Sequence, residues 1–162
     1  MKIFFDTEFL DLGSTVYLIS IGLVREDGRE YYAEVAEHVQ HYDKAVPWVR
    51  DNVLKHLTGE VKPMSLICDE IEDFAGKQPE FWAYYASYDW MCLCSIYGGM
   101  LQVPTGWPHF CRDLLWYKMQ QVDKHGGIAA LLPEQDSVAH NALNDAKWNL
   151  QVYRYLEELD KR

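Results

Sequence analysis

Asp6, Glu8, Asp89 and Asp145 supply four carboxylates and His140 an imidazole, set in Asp6-Thr7-Glu8, Tyr88-Asp89 and the run from His140 to Asp145. Four hard oxygen donors and one base are what two divalent ions and an activated water need to cut a phosphodiester. Each group alone also has a plainer explanation. An Asp-x-Glu triplet arises by chance, and an acidic strand end facing solvent accounts for it. Asp89 and Asp145 each suit the first turn of a helix, where a carboxylate complements the helix dipole. Those explanations leave His140 unaccounted for.

The elements around these residues determine whether they can meet. Residues Lys2 to Phe5 are β-branched and aromatic enough for a strand, which puts Asp6 and Glu8 at its end; two apart, they project to one face and can share a metal. The apolar run Val16 to Val24 reads as a second strand, and Asp27-Gly28 before Arg29 to Val35 predicts an antiparallel hairpin. Helices are expected from Pro47, with Val49, Val53 and Leu57, and from Pro63, with Ile67, Ile71, Phe74 and Ala75. Glu80 to Tyr85 reads as a strand, followed by a helix capped by Ser87, bearing Trp90, Leu93, Cys94 and Tyr97 on one face and stopped by Gly98-Gly99.

A short strand is expected over His109 to Arg112, with Asp113 capping a helix through Gln121, then a polar loop from Asp123 to Val138. The last helix is the clearest, with Ala142, Leu143, Ala146, Leu150, Tyr153, Leu156 and Leu159 at helical spacing. Five residues apart on one helix, His140 and Asp145 would diverge by roughly 140°. His140 therefore belongs to the loop feeding that helix, with Asn141 as N-cap and Asp145 in the first turn. Strands first and alternating helix and strand afterwards predict an α/β fold with a mixed sheet flanked by helices.

The segments DTEF (6–9), YASYD (85–89) and HNALNDA (140–146) resemble the three motifs of the DnaQ-like, or DEDDh, exonuclease superfamily, the third fitting an H-x-A-L-x-D-A pattern. Asp89 follows Asp6 by 83 residues and Asp145 follows Asp89 by 56, so the resemblance spans nearly the whole chain. It implies a ribonuclease-H-like fold. Within the superfamily the chain looks most like small bacterial or phage exoribonucleases related to oligoribonuclease and ribonuclease T. That likeness implies that Asp6, Glu8, Asp89 and Asp145 hold two Mg²⁺ or Mn²⁺ ions, Asp6 bridging them and Asp89 acting partly through water. It also implies that His140 is the general base and that 5′-monophosphates leave from an RNA 3′ end, in a homodimer. In one departure, many members carry asparagine where this chain has Tyr85.

Substrate contacts are expected in and next to the motifs, with Glu8 or the backbone near Phe9 orienting the terminal ribose. By resemblance, Phe9 and Leu10 stack on or wedge between terminal bases, and Tyr88 packs beside the metal cluster or the substrate; for Phe9 and Leu10 the alternative is core packing. Trp82, Tyr84 and Tyr85 read as core or site wall rather than as base platforms. Trp107, in a Gly/Pro loop, fits either a dimer contact or the substrate.

Composition narrows the alternatives. A chain of 162 residues suits one domain, residues 1–162, and 49% hydrophobic content excludes disorder. A net charge of −10, from 25 acidic and 15 basic residues, argues against a protein that grips long nucleic acid by counterion release. An enzyme holding a few terminal nucleotides of single-stranded RNA, or of an RNA 3′ overhang, can draw its positive charge from bound metal. DNA is a second candidate substrate. Met1 to Phe5 leads into acidic residues and is no signal peptide, and the stretch from Trp90 to Cys111 carries too many Gly and Pro for a membrane span. Cys68, Cys92, Cys94 and Cys111 lack disulfide spacing and read as reduced thiols in a cytoplasmic protein, with Cys92 and Cys94 as buried small hydrophobes rather than a chelate. The rival readings are a proofreading-type DNA exonuclease, a phosphodiesterase of small nucleotides and a catalytically idle nucleic-acid-binding module.

Overall fold

The structure, a computed structural model, describes residues 1–125, 127, 131–135 and 137–161. Six strands form one sheet: β1 (Lys2–Asp11), β2 (Val16–Arg25), β3 (Glu30–Val35), β4 (Val61–Lys62), β5 (Glu80–Ala83) and β6 (Arg112–Asp113), in the order β4-β3-β2-β1-β5-β6. The β1–β2 and β2–β3 pairs are antiparallel, and β1–β5, β5–β6 and β3–β4 are parallel. The helices are α1 (Pro47–Asn52), α2 (Met64–Ala75), α3 (Ser87–Ile96), α4 (Leu114–His125) and α5 (Ala142–Asp160). The expected mixed sheet flanked by helices is present.

Helices on both faces explain the apolar stretches at residues 3–5 of β1 and 18–24 of β2, where successive residues are buried on both sides of the sheet. Ile3 and Phe5 join the core with Ile67 and Ile71 of α2 and Leu93 of α3. Phe4, between them, faces the other way and packs with Ala146, Leu150 and Leu156 of α5. Period-two alternation then sends Asp6 and Glu8 toward α5 and Thr7 toward α3.

Several expected boundaries move. β1 continues to Asp11, so Asp6 and Glu8 lie mid-strand, where β1 is held by antiparallel pairing to β2 with a bulge between Glu8 and Phe9. The helix from Pro47 ends at Asn52 and gives way to a 3₁₀ turn at Leu54–His56, leaving Leu57 outside it. Ser87 does not cap α3: Ala86 holds the N-cap position without a side-chain bond, while its N–H donates to Asp113 Oδ2. Asp113 itself sits in β6 and caps α4 through Leu115 N–H. Trp107 is core, packed on Phe81 and Tyr97 with Nε1 donating to the Gly76 carbonyl, and so is neither a dimer contact nor a substrate contact. β4 and a 3₁₀ segment at Ala36–Lys44 fall where the sequence reading assigned no element. The expected loop over 123–138 begins only after α4 ends at His125, and part of it lies outside the described residues.

Gly22 sets how closely α5 approaches the sheet. It pairs with Asp6 across the β1–β2 ladder, and a Cβ built on it would overlap the Ala142 carbonyl and the Leu143 nitrogen. The obstacle is helix backbone, which cannot swing aside. Gly22→Ala should therefore destabilise the fold by about 1–3 kcal/mol through overpacking. It should also push the start of α5 away from Asp6, and a displacement near 1 Å can cost roughly 10²-fold in turnover. Thermal melts and steady-state rates on the purified variant check both effects; wild-type values for both would show that α5 does not rest on this glycine.

Candidate active site

The parallel pairing of β1 with β5 stops at Phe4–Trp82, and beyond it the edge of β1 is open to side chains. Two backbone groups on that edge are satisfied from helices. Asn149 Nδ2, on α5, donates to the Phe5 carbonyl at 2.9 Å, and the Thr7 N–H donates to Asp89 Oδ1 at 2.8 Å. Thr7 Oγ1 donates to the same carboxylate oxygen at 2.7 Å. Buried backbone groups must find partners, so the end of β5 is where α3 and α5 converge on β1.

Asp145 arrives from the first turn of α5. Asn141 caps that helix as expected, its side chain accepting from the Asn144 N–H. His140 precedes it in the left-handed region, with φ +61°, and its N–H donates to Asp145 Oδ2 at 2.9 Å. Gln135 Nε2 donates to the other oxygen, Asp145 Oδ1. Glu8, His140 and Asp145 each offer a ligand atom within 4.8 Å of the others. Asp6, Glu8, Asp89, His140 and Asp145 all line one cleft of about 400 Å³.

The electrostatics of this cleft are unbalanced. Burial, followed by the charges of Asp89, Asp145 and Glu8, holds the Asp6 carboxyl well above the usual range. Burial and then Asp145 and Asp89 push Glu8 up to about 8. Asp89 is raised to about 6 by burial, against the lowering effect of the two Thr7 bonds. Asp145 is raised by burial, with the Gln135 and His140 bonds working the other way. No Lys or Arg is among the described residues lining the cleft. Four crowded carboxylates with no resident cation are an oxygen-rich donor set suited to hard divalent ions.

Phe9 and Tyr88 meet in a parallel stack, with ring centroids 4.9 Å apart and planes 5° apart, and both line the cleft. Tyr88 Oη donates to Asp11 Oδ2. Leu10 does not belong with them. Only 2% exposed, it packs with Ile19, Ala45 and Val53 in a small core on the far half of β1. It is therefore not a substrate contact.

Four further residues at the site were not singled out from the sequence. Thr7, Gln135 and Asn149 orient Asp89, Asp145 and the edge of β1; each is a common polar residue, and the partners of Thr7 and Asn149 are distant in sequence. Trp48 on α1 packs edge-on against the His140 ring, with centroids 4.7 Å apart, while staying 53% exposed. Its signal was available, since a large aromatic lies there between positions facing the core. Tyr84 lines the cleft as site wall, and Trp82 is core. Tyr85 and His140 are the two non-glycine residues with positive φ among the described residues, and both border the cleft. Such strain costs on the order of 1–3 kcal/mol each and concentrates at functional sites.

The family of the 3′-5′ exoribonuclease Rv2179c-like domain matches residues 1–157. Two curated relatives, 3′-5′ exoribonucleases MT2234.1 and Rv2179c from two strains of Mycobacterium tuberculosis, are each 35% identical over 168 residues, covering 99% of this chain and 95% of the relative. Among solved structures, the zinc-bound Escherichia coli ExoI–ssDNA complex superposes with a TM-score of 0.64 at 13% identity, covering 99% of this chain and 42% of that one. The Neurospora crassa Pan2 catalytic unit gives 0.55 at 13%, covering 99% and 27%. The chain spans less than half of either structure, and at that identity the likeness is one of fold.

Proposed function

The chain belongs to the Rv2179c-like 3′-5′ exoribonuclease family, and from that membership and the cleft we propose that it removes nucleotides from RNA 3′ ends with Asp6, Glu8, Asp89 and Asp145 as metal ligands and His140 as general base. The observation that carries the reading is the convergence of four buried or half-buried carboxylates and one histidine in a cleft whose described lining has no Lys or Arg. Two Mg²⁺ or Mn²⁺ ions held there would supply Lewis-acid stabilisation of the attacking and leaving oxygens. Asp89 is oriented for this by Thr7, whose N–H and Oγ1 both donate to Oδ1. Asp145 is held by Gln135 and by the His140 backbone, so the base and the ligand move as one unit. His140, exposed at the cleft, takes the proton of the attacking water, a role an imidazole suits near neutral pH. Phe9 and Tyr88 grip a terminal base without reading its identity.

The substrate is single-stranded RNA or an RNA 3′ overhang, acted on by one domain spanning residues 1–162 that works as a cytoplasmic homodimer. Among the described residues no helix is long and apolar enough to cross a membrane. Ribose carries a 2′-hydroxyl that both donates and accepts hydrogen bonds, so polar groups near Glu8 that use it lose a partner with deoxyribose. Leaving such a group unpaired costs about 1–3 kcal/mol, or roughly five- to a hundredfold in rate. Time courses on 5′-labelled RNA and DNA of one sequence should show the RNA shortening faster from its 3′ end. Equal or faster loss of DNA would assign the protein to DNA ends instead.

A further inference from the structure

Resting on the RNA-end reading, we propose that Tyr85 is a second base platform, stacking on a nucleobase beside the scissile phosphate. Tyr85 stands in the turn between β5 and α3, four residues before Asp89, with φ +57° and 65% of its surface exposed. An exposed side chain gains little from burial, so core packing does not offset this strained backbone. The strain instead fixes where the ring points. That place is the cleft, whose wall Tyr85 shares with Asp6, Glu8, Asp89 and His140.

The platform is braced from behind. The Tyr85 ring meets Tyr84 nearly at right angles, with centroids 5.0 Å apart, and Tyr84 meets Trp148 in the same way at 5.3 Å. Trp148 lies on α5 three residues after Asp145, and its Nε1 donates to the Pro133 carbonyl at 2.9 Å. The turn itself is pinned where Asp113 accepts the Ala86 N–H. Tyr85 is thereby tied to the helix that carries Asp145. A perpendicular neighbour occupies at most one face of the ring and leaves the other for a flat partner. With no Lys or Arg among the described residues of the wall, the complementary ligand is a neutral π-face, which a base of any identity offers.

The test measures binding rather than turnover, in the His140→Ala background with Mg²⁺. It compares an RNA oligonucleotide with the same oligonucleotide lacking its last two bases. The preference for the base-bearing RNA should fall roughly five- to a hundredfold in Tyr85→Asn and persist in Tyr85→Phe. Asparagine tolerates the left-handed backbone, so the melting midpoint of Tyr85→Asn should not fall, which separates lost stacking from lost folding. An unchanged base preference in Tyr85→Asn, or equal weakening of both RNAs, overturns the platform. Absence of binding by either RNA to the parent overturns the RNA-end reading beneath it.

Discussion

His140→Ala is expected to lower kcat by roughly 10²–10⁴-fold, the range for removing a positioned general base, while KM and metal binding change little. The separation follows from how His140 is anchored. Its backbone N–H, not its ring, holds Asp145 Oδ2, so truncating the imidazole leaves the ligand in place. Alanine is less at home than histidine at φ +61°, so the melting midpoint of the variant is read beside its turnover. Stopped-time assays at saturating RNA, paired with metal titrations followed by thermal melting, resolve the two effects. Turnover near that of the wild type would remove the histidine from the chemistry, and a parallel loss of the metal response would make it a ligand rather than a base.

Asp6→Asn should separate stability from activity in the opposite sense. Folded-state values of about 6 for Asp89 and about 8 for Glu8 lie above their ordinary 3.8 and 4.5, and Asp6 is raised as well. The folded, metal-free protein thus binds protons more tightly than the unfolded chain. That contribution to stability is fully present below about pH 4 and is lost as the pH rises through about 6 and about 8. At pH 8 the metal-free wild type carries its carboxylate repulsion, and Mg²⁺ or Mn²⁺ should raise its midpoint by binding the native state. A neutral amide in place of the Asp6 carboxylate relieves part of that repulsion, so the metal-free variant should melt several degrees higher, at roughly 2–4 °C per kcal/mol for a chain of this size. Its midpoint should respond weakly to metal, and its turnover should drop on the order of 10³-fold, since a carboxylate proposed to hold the catalytic ions would support several kcal/mol of transition-state stabilisation. A metal-free variant less stable than the wild type at pH 8 would show that Asp6 is a structural residue.

Much of this site was legible because its chemistry is local in sequence. The alternation that turns Asp6 and Glu8 to one face, and the N-cap at Asn141 that puts Asp145 in a first turn and His140 ahead of it, are short-range features that survived folding. What was not legible depends on partners far apart in the chain. Thr7 meets Asp89 across 82 residues and Asn149 meets Phe5 across 144, and neither bond leaves a periodicity or motif behind. Leu10 was placed at the substrate because its packing partners Ala45 and Val53 come from segments outside the strand, and nothing in the strand itself signals that they cover it. Ser87 lost its expected capping role to Ala86 and Asp113 for a similar reason, since β6 reaches the turn only in the folded chain. The role of Gly22 is likewise set by a distant partner, the α5 backbone at Ala142 and Leu143 that packs against it.

The most direct measurement of the central claim is to incubate a 5′-labelled single-stranded RNA with the protein, with Mg²⁺ or with excess chelator, and to resolve both the shortened RNA and the released nucleotide. A ladder that retreats one nucleotide at a time from the 3′ end, release of nucleoside 5′-monophosphates and no cleavage in chelator are expected. Internal fragments, 3′-phosphorylated products or undiminished cleavage in chelator would contradict it.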